Sequence, residues 1–369
     1  MLTLVLLAAL IRPVRAGWND TPARWLPSHA IDANALVTLA GDAQVVALAD
    51  ATHGTHEFFA AKQELVPLFA AAGYRTIAFE APYGEWERGD YVLDDYYFWN
   101  SDETIELIEW AKAQDPPIRI AGLDPSHPAA SADLLVERVR AFDASLADDI
   151  AERYRCLTNY RDNPLGYSAR AAIDREVCRV SVTSVRPLLH DEELTHNARV
   201  VEQGEEALWT QLANRDEAIA ENMEWLAHRD GRVIVLGHNE HFGKTPYALV
   251  GGPPFDSAGT IVSRHLPYFV LGTITLQGSF VTYDIQGRAV DLPFPTPSPD
   301  DYALSFADAG LPRMFVPLGS AIPAWLSAPH HIRVAGSSGP VLNMFEDLAK
   351  KFDAVLYIET TTPAHLRRR

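Results

Sequence analysis

The chain has 369 residues, of which 47% are hydrophobic and 22% charged, the balance of a folded globule with ample core rather than a disordered chain. That length fits one large α/β domain or two smaller ones. A formal net charge of −18 repels nucleic acid and anionic membrane surfaces, and no Lys/Arg cluster interleaved with aromatics offsets it, so neither is expected as a partner.

Residues 1–11 form an apolar run of signal-peptide length that is too short to span a bilayer. Val14-Arg15-Ala16 ahead of Gly17 resembles a small-residue cleavage site, but no Lys or Arg precedes the apolar run. Residues 1–16 therefore read as an N-terminal extension or a signal peptide, with a cytoplasmic location placed ahead of secretion. The rest, 17–369, reads as one α/β domain.

After Trp25-Leu26 and a short helical stretch, the run 45–49 reads as a buried strand that meets Asp50 and then His53. A helix over 56–72 follows, with Lys62, Leu65, Val66, Leu68 and Phe69 on one face and Gly73 placed to end it. The strand 76–79 stops on Glu80. A helix near 101–113, broken by Pro116-Pro117, leads to the strand 118–123, which stops on Asp124. Strand signals then vanish over about 131–229, which reads as a helical insertion walling the cleft. They resume at 233–237, ending on His238 with His241 close behind. Further strands are expected at 268–275 and 352–358, and the Pro-rich stretch 292–300 reads as a linker or surface loop. The fold class expected is α/β, with a mostly parallel central sheet flanked by helices.

Cys156 and Cys178 match neither a CxxC pair nor a zinc ribbon. They are expected as two buried thiols, with a disulfide plausible if the chain is exported.

In an open parallel sheet, ligands and catalytic groups gather outside the carboxyl ends of the strands. Four strands that end on an acid or a histidine therefore point to one carboxylate–imidazole cleft. His53, between a strand and a helix N-terminus, is the first candidate for a general base, the alternative being a helix cap. Asp50 and Glu80 suit the orienting acids of that imidazole, or plain helix caps. His238 and His241 share a face if the segment turns helical at once. With His53 and Glu80 they could hold a metal, but the spacing is not HExxH, and an acid/base and oxyanion role is preferred. No G-x-S-x-G elbow, P-loop or Rossmann fingerprint is present. Water activated by His53, with no covalent nucleophile, is the simpler chemistry.

These motifs resemble the erythromycin esterase family. The resemblance rests on residues 50–59 (DATHGTHEFF) with Lys62, on Ala78-Phe79-Glu80, Gly122-Leu123-Asp124, residues 215–222 (RDEAIAEN), Gly237-His238-Asn239-Glu240-His241, Gly272-Thr273 with Gly278-Ser279-Phe280, and the tail from Phe352 to Ala364. It implies an α/β core with a helical insertion and hydrolysis of an ester or lactone by histidine-activated water, without an acyl-enzyme. Carried over, His53 matches the family's catalytic histidine, Glu80 its strand-end glutamate, and His238 and His241 its second histidine pair. Asp50 stands where relatives carry a Gly-Glu glutamate, and Lys62 where relatives can hold arginine.

The reading is a carboxylic ester or lactone hydrolase acting on a bulky, natural-product-like small molecule. His53, Glu80, Asp50, His238 and His241 are its catalytic candidates, and Lys62, Arg215, Asp124 and His56 its substrate-binding candidates. Arg215 serves either the oxyanion or an ion pair with Asp216 or Glu221. No cofactor or metal is expected, and a monomer is. The rival readings are a metal-dependent hydrolase or a lyase/cyclase on the same side chains, and a small-molecule binding protein without turnover.

Overall fold

The computed structural model describes residues 21–91, 98–161, 163–208, 212–247, 252–284, 286–319, 321–336 and 340–367. The expected leader at 1–16 lies outside them. The apolar runs become β1 (Val45–Asp50), β2 (Thr76–Pro82), β3 (Arg119–Asp124) and β4 (Val233–His238). These are followed by β5 (Tyr268–Tyr283), β6 (Ala289–Pro293), β7 (Arg313–Pro317), β8 (His330–Val334), β9 (Leu342–Glu346) and β10 (Ala354–Thr361).

One sheet runs in the order β3-β2-β4-β1-β5-β10-β7, with β6 pairing β5 off this path, and β8 and β9 form a separate hairpin pair. All neighbours from β3 across to β10 are parallel, whereas β7 and β6 are antiparallel. The sheet is thus α/β and mostly parallel. β1, β2 and β4 are buried along their whole lengths, as strands covered on both faces must be.

Topology brings the polar strand ends together. β4 returns between β2 and β1, and the register sets Asp50 opposite His238. The β2–β3 register shifts between Phe79 and Pro82, so Glu80 sits at an irregularity of the kind that re-aims a side chain beside a site.

Two expectations change. β5 runs eight residues past the expected end at 275, because its second half pairs with β6, and that pairing draws Leu292 and Pro293 of the supposed loop into a strand. Gly278 allows the passage: its φ is +115°, and a Cβ there would stand 2.1 Å from the Thr361 carbonyl oxygen of β10.

Between β3 and β4 the described chain is helical from Pro128–Arg140 through Leu212–Asp230. These helices bury a cluster of their own, including Leu135, Ile150, Tyr154, Val182 and Val201. Within it Cys156 and Cys178 form a disulfide, not two thiols. Helices Ala144–Thr158 and Ala172–Thr183 pack side by side and bring the two Cα atoms to 5.6 Å, within bonding reach. No helix among the described residues is long and apolar enough to cross a membrane.

The cystine closes a loop with a sequence separation of 22. Chain-entropy arguments value such a closure at about 3 kcal/mol. Thermal unfolding with and without dithiothreitol should show a lower midpoint for the reduced protein, and Cys156→Ala/Cys178→Ala should match the reduced value in both conditions.

Candidate active site

The carboxylates come first, because each is held by a cation. Asp50, at the end of β1, is fully buried and its Oδ2 accepts from Nζ of Lys62, itself 4% exposed on helix His56–Ala71. Burial alone would raise the Asp50 pKa, but Lys62, His53 and His238 outweigh it and hold it below the usual range. Asp124, at the end of β3, accepts from Arg215 Nε at 3.0 Å and from Arg215 Nη2, and takes the Ser126 N–H at 2.9 Å. Its pKa is likewise lowered, with burial opposed by Arg215.

Glu80 joins the two halves. Its Oε1 accepts from Arg215 Nη2 at 2.9 Å and its Oε2 from the His238 backbone N–H at 2.8 Å, while its own carbonyl takes the Trp99 indole N–H at 2.8 Å. Burial works against ionisation, yet His241, His53 and Arg215 together drive its pKa well below the ordinary value. Gly237 makes the room: a Cβ there would lie 2.6 Å from Glu80 Oε2 and 2.6 Å from the Phe242 ring.

His53 stands between two of these acids. Its Nδ1 is 3.2 Å from Asp50 Oδ1 and its Nε2 3.7 Å from Glu80 Oε2. Neither Nδ1 nor Oδ1 has an aligned hydrogen bond, so the first contact is an ion-pair approach rather than a closed bond. Phe98 and Trp99 flank the ring, each with its centroid at 5.8 Å.

The two later histidines differ sharply. His238 caps the short helix Asn239–Phe242, Nδ1 accepting the Glu240 N–H at 3.3 Å, and its Nε2 lies 3.2 Å from the Ala51 carbonyl oxygen, to which it donates. Both nitrogens are occupied by backbone. Burial, with His53 nearby, pushes its pKa down to about 4, so the ring is neutral. His241 has Nδ1 2.7 Å from Asp216 Oδ1, while Nε2 faces Arg215 Nη1 at 2.9 Å and Glu80 Oε1 at 3.4 Å. Burial opposes its protonation, but Asp216 and Glu80 prevail and raise its pKa.

His53, Asp50, Glu80, His238, His241, Lys62, Asp124 and Arg215 thus meet in one cluster. Arg215 pairs with Asp124 and Glu80, not with Asp216 or Glu221; Glu221 is held by Arg199. His56 does not join: its Nδ1 sits 2.6 Å from Glu103 Oε1, beside His365. Sequence reasoning missed Asp216, Tyr247, Phe98 and Trp99. Asp216 directly follows Arg215 and carried a signal, whereas Tyr247, which donates to Asp216 at 2.8 Å, and the two aromatics carried none.

A parallel sheet with imidazoles and ionised carboxylates at its strand ends defines a protein equipped for proton-transfer chemistry. The family model for erythromycin esterase matches residues 69–361, and the chain belongs to that family. Membership implies a hydrolase. Solved structures with the same fold include a Bacillus cereus protein, at 21% identity and TM-score 0.84 over 94% of this chain and 98% of that one. A succinoglycan biosynthesis protein matches at 22% identity and TM-score 0.81, over 90% and 92% of the two chains. The erythromycin esterase EreC, a mutant in its open conformation, matches at 16% identity and TM-score 0.70, over 89% and 93%.

Two outcomes follow. Gly237→Ala should cost roughly 1–3 kcal/mol in urea unfolding, since neither Glu80 nor Phe242 has space to retreat. His238 has a folded pKa near 4 against about 6.5 unfolded. Its contribution to stability is therefore complete above pH 6.5 and declines as the pH falls toward 4, because the unfolded chain takes the proton first, by up to about 3 kcal/mol. Urea titrations at pH 7, 5.5 and 4.5 should show a shallower decline for His238→Gln than for the wild type.

Proposed function

We propose that the chain hydrolyses a carboxylic ester or lactone with water activated by His53. The observation that carries this reading is the placement of His53, with Nδ1 toward Asp50 and Nε2 toward Glu80. A proton on Nδ1, facing an ionised Asp50, leaves the Nε2 lone pair to receive one from water. Glu80, ionised across the working range, stabilises the imidazolium that results.

Arg215 and His241 supply the opposite pole. Three of the five guanidinium N–H groups of Arg215 are engaged by Asp124 and Glu80, and the two on Nη1, beside His241, are left for the oxyanion. His241, with its raised pKa, protonates the leaving alkoxide. His238 holds the β1 and β4 ends in place and stays neutral; Asp124 and Lys62 position Arg215 and Asp50. The cystine supports a working place in an oxidising compartment rather than the cytoplasm.

The test is a mass-shift screen of esters, macrolides and other lactones in H2(18)O. A gain of one labelled water, with kcat reduced roughly 10²–10⁴-fold in His53→Ala while circular dichroism is unchanged, is the expected result. Turnover that survives in His53→Ala, or that a chelator abolishes while the thermal midpoint stays unchanged, would overturn it.

A further inference from the structure

A second group of titratable side chains lies apart from the cluster around His53. His56 opens helix His56–Ala71, Glu103 lies in the first turn of helix Asp102–Lys112, and His365 belongs to the segment after β10. Their nearest ligand atoms lie within 4.8 Å of one another. Both imidazoles aim Nδ1 at the same carboxylate oxygen, Glu103 Oε1, His56 from 2.6 Å and His365 from 3.0 Å, and the His365 backbone N–H reaches it at 3.2 Å. Glu103 is 3% exposed, and its other oxygen, Oε2, is buried with no hydrogen-bond partner. A buried carboxylate with one crowded and one unpartnered oxygen, next to two imidazole nitrogens, has ligand capacity that the protein itself does not use.

We propose that His56, Glu103 and His365 form a binding site for a divalent transition-metal ion of the zinc class, which fastens the C-terminal segment to the two helix N-termini. Two imidazoles and a carboxylate are a common zinc donor set, and bonds of about 2.0–2.2 Å place tetrahedral ligand atoms roughly 3.3 Å apart. The contacts of 2.6 and 3.0 Å need to open by about 0.7 and about 0.3 Å, which side-chain rotation supplies. Each ring moves its proton from Nδ1 to Nε2 and gives the metal a lone pair. The fourth position faces water, since the His365 side chain is 62% exposed and that of His56 is 35% exposed. The surroundings already hold the segment by polar contacts: Arg367 Nε donates to Asp102 at 2.6 Å, and the Thr362 N–H to Glu57 at 2.7 Å. Those contacts pre-pay part of the ordering cost.

The site stands independently of the hydrolase reading, and its test reads metal and not turnover. Metal-stripped full-length protein is titrated with Zn²⁺ by calorimetry and with Co²⁺ in the visible spectrum, alongside His365→Asn, Glu103→Gln and His53→Ala. The expected result is one equivalent of Zn²⁺ raising the thermal midpoint, a visible Co²⁺ spectrum of low coordination number, and affinity at least tenfold weaker in His365→Asn and Glu103→Gln but unchanged in His53→Ala. His365 is exposed enough that its variant folds whatever happens to Glu103→Gln. No Zn²⁺ binding tighter than about 100 µM, or binding lost in His53→Ala and kept in His365→Asn, would overturn the proposal.

Discussion

Charge balance in a dry place governs this molecule. Asp50, Glu80, Asp124 and Asp216 are all buried within one cluster, where an isolated carboxylate would cost several kcal/mol to desolvate. Among the described residues two permanent cations, Lys62 and Arg215, face them. Two negative charges are left for the imidazoles to meet. His53 and His241 each lie between two of the acids, whereas His238 has its nitrogens tied to backbone. In the proposed chemistry a neutral His53 and a protonated His241 leave the resting cluster one charge short of balance. The proton drawn from water closes that gap. The fold's electrostatic debt thus favours the step that the proposed chemistry requires.

The sheet makes this balance possible. Inserting β4 between β2 and β1 sets Asp50, His238 and Glu80 on neighbouring strand ends, and β3 adds Asp124 beyond. Arg215 and Asp216 then come from one helix, so the cation for Glu80 and Asp124 and the anion for His241 move as a unit. Mutations on that helix would disturb two charge pairs together.

Strand ends were legible because polarity changes at one residue: apart from Thr76 and Arg119 near two strand starts, each run is apolar up to the acid or histidine that stops it. The same contrast gave the helix over 56–72, observed at His56–Ala71. What stayed hidden depends on pairing between distant segments. The extension of β5 is fixed by β6, the disulfide by the packing of two helices, and the β8–β9 hairpin by the pairing of two five-residue segments. His56 shows the limit at the site. It lies three residues from His53 in a single motif, but helix geometry turns it toward Glu103 and His365, which only the fold brings near. For His238 and His241 the letters are identical, and their opposite proton affinities come from burial beside His53 in one case and from Asp216 and Glu80 in the other.

Asp50 raises the question of how a short acid orients His53. Its carboxylate cannot swing freely, since Lys62 claims Oδ2 and turns Oδ1 toward the ring at 3.2 Å, without an aligned hydrogen bond. An acid so held supplies field more than direction. Direction comes instead from the aromatic wall of Phe98 and Trp99 against His53, and Trp99 is itself pinned by its indole N–H to the Glu80 carbonyl. Lys62 lies 5.2 Å from the centre of that same indole, so the cation that fixes Asp50 also packs on the ring that fixes His53. The task of orienting His53 is thereby divided between a lysine-anchored carboxylate and a tryptophan, and the two are coupled through the lysine.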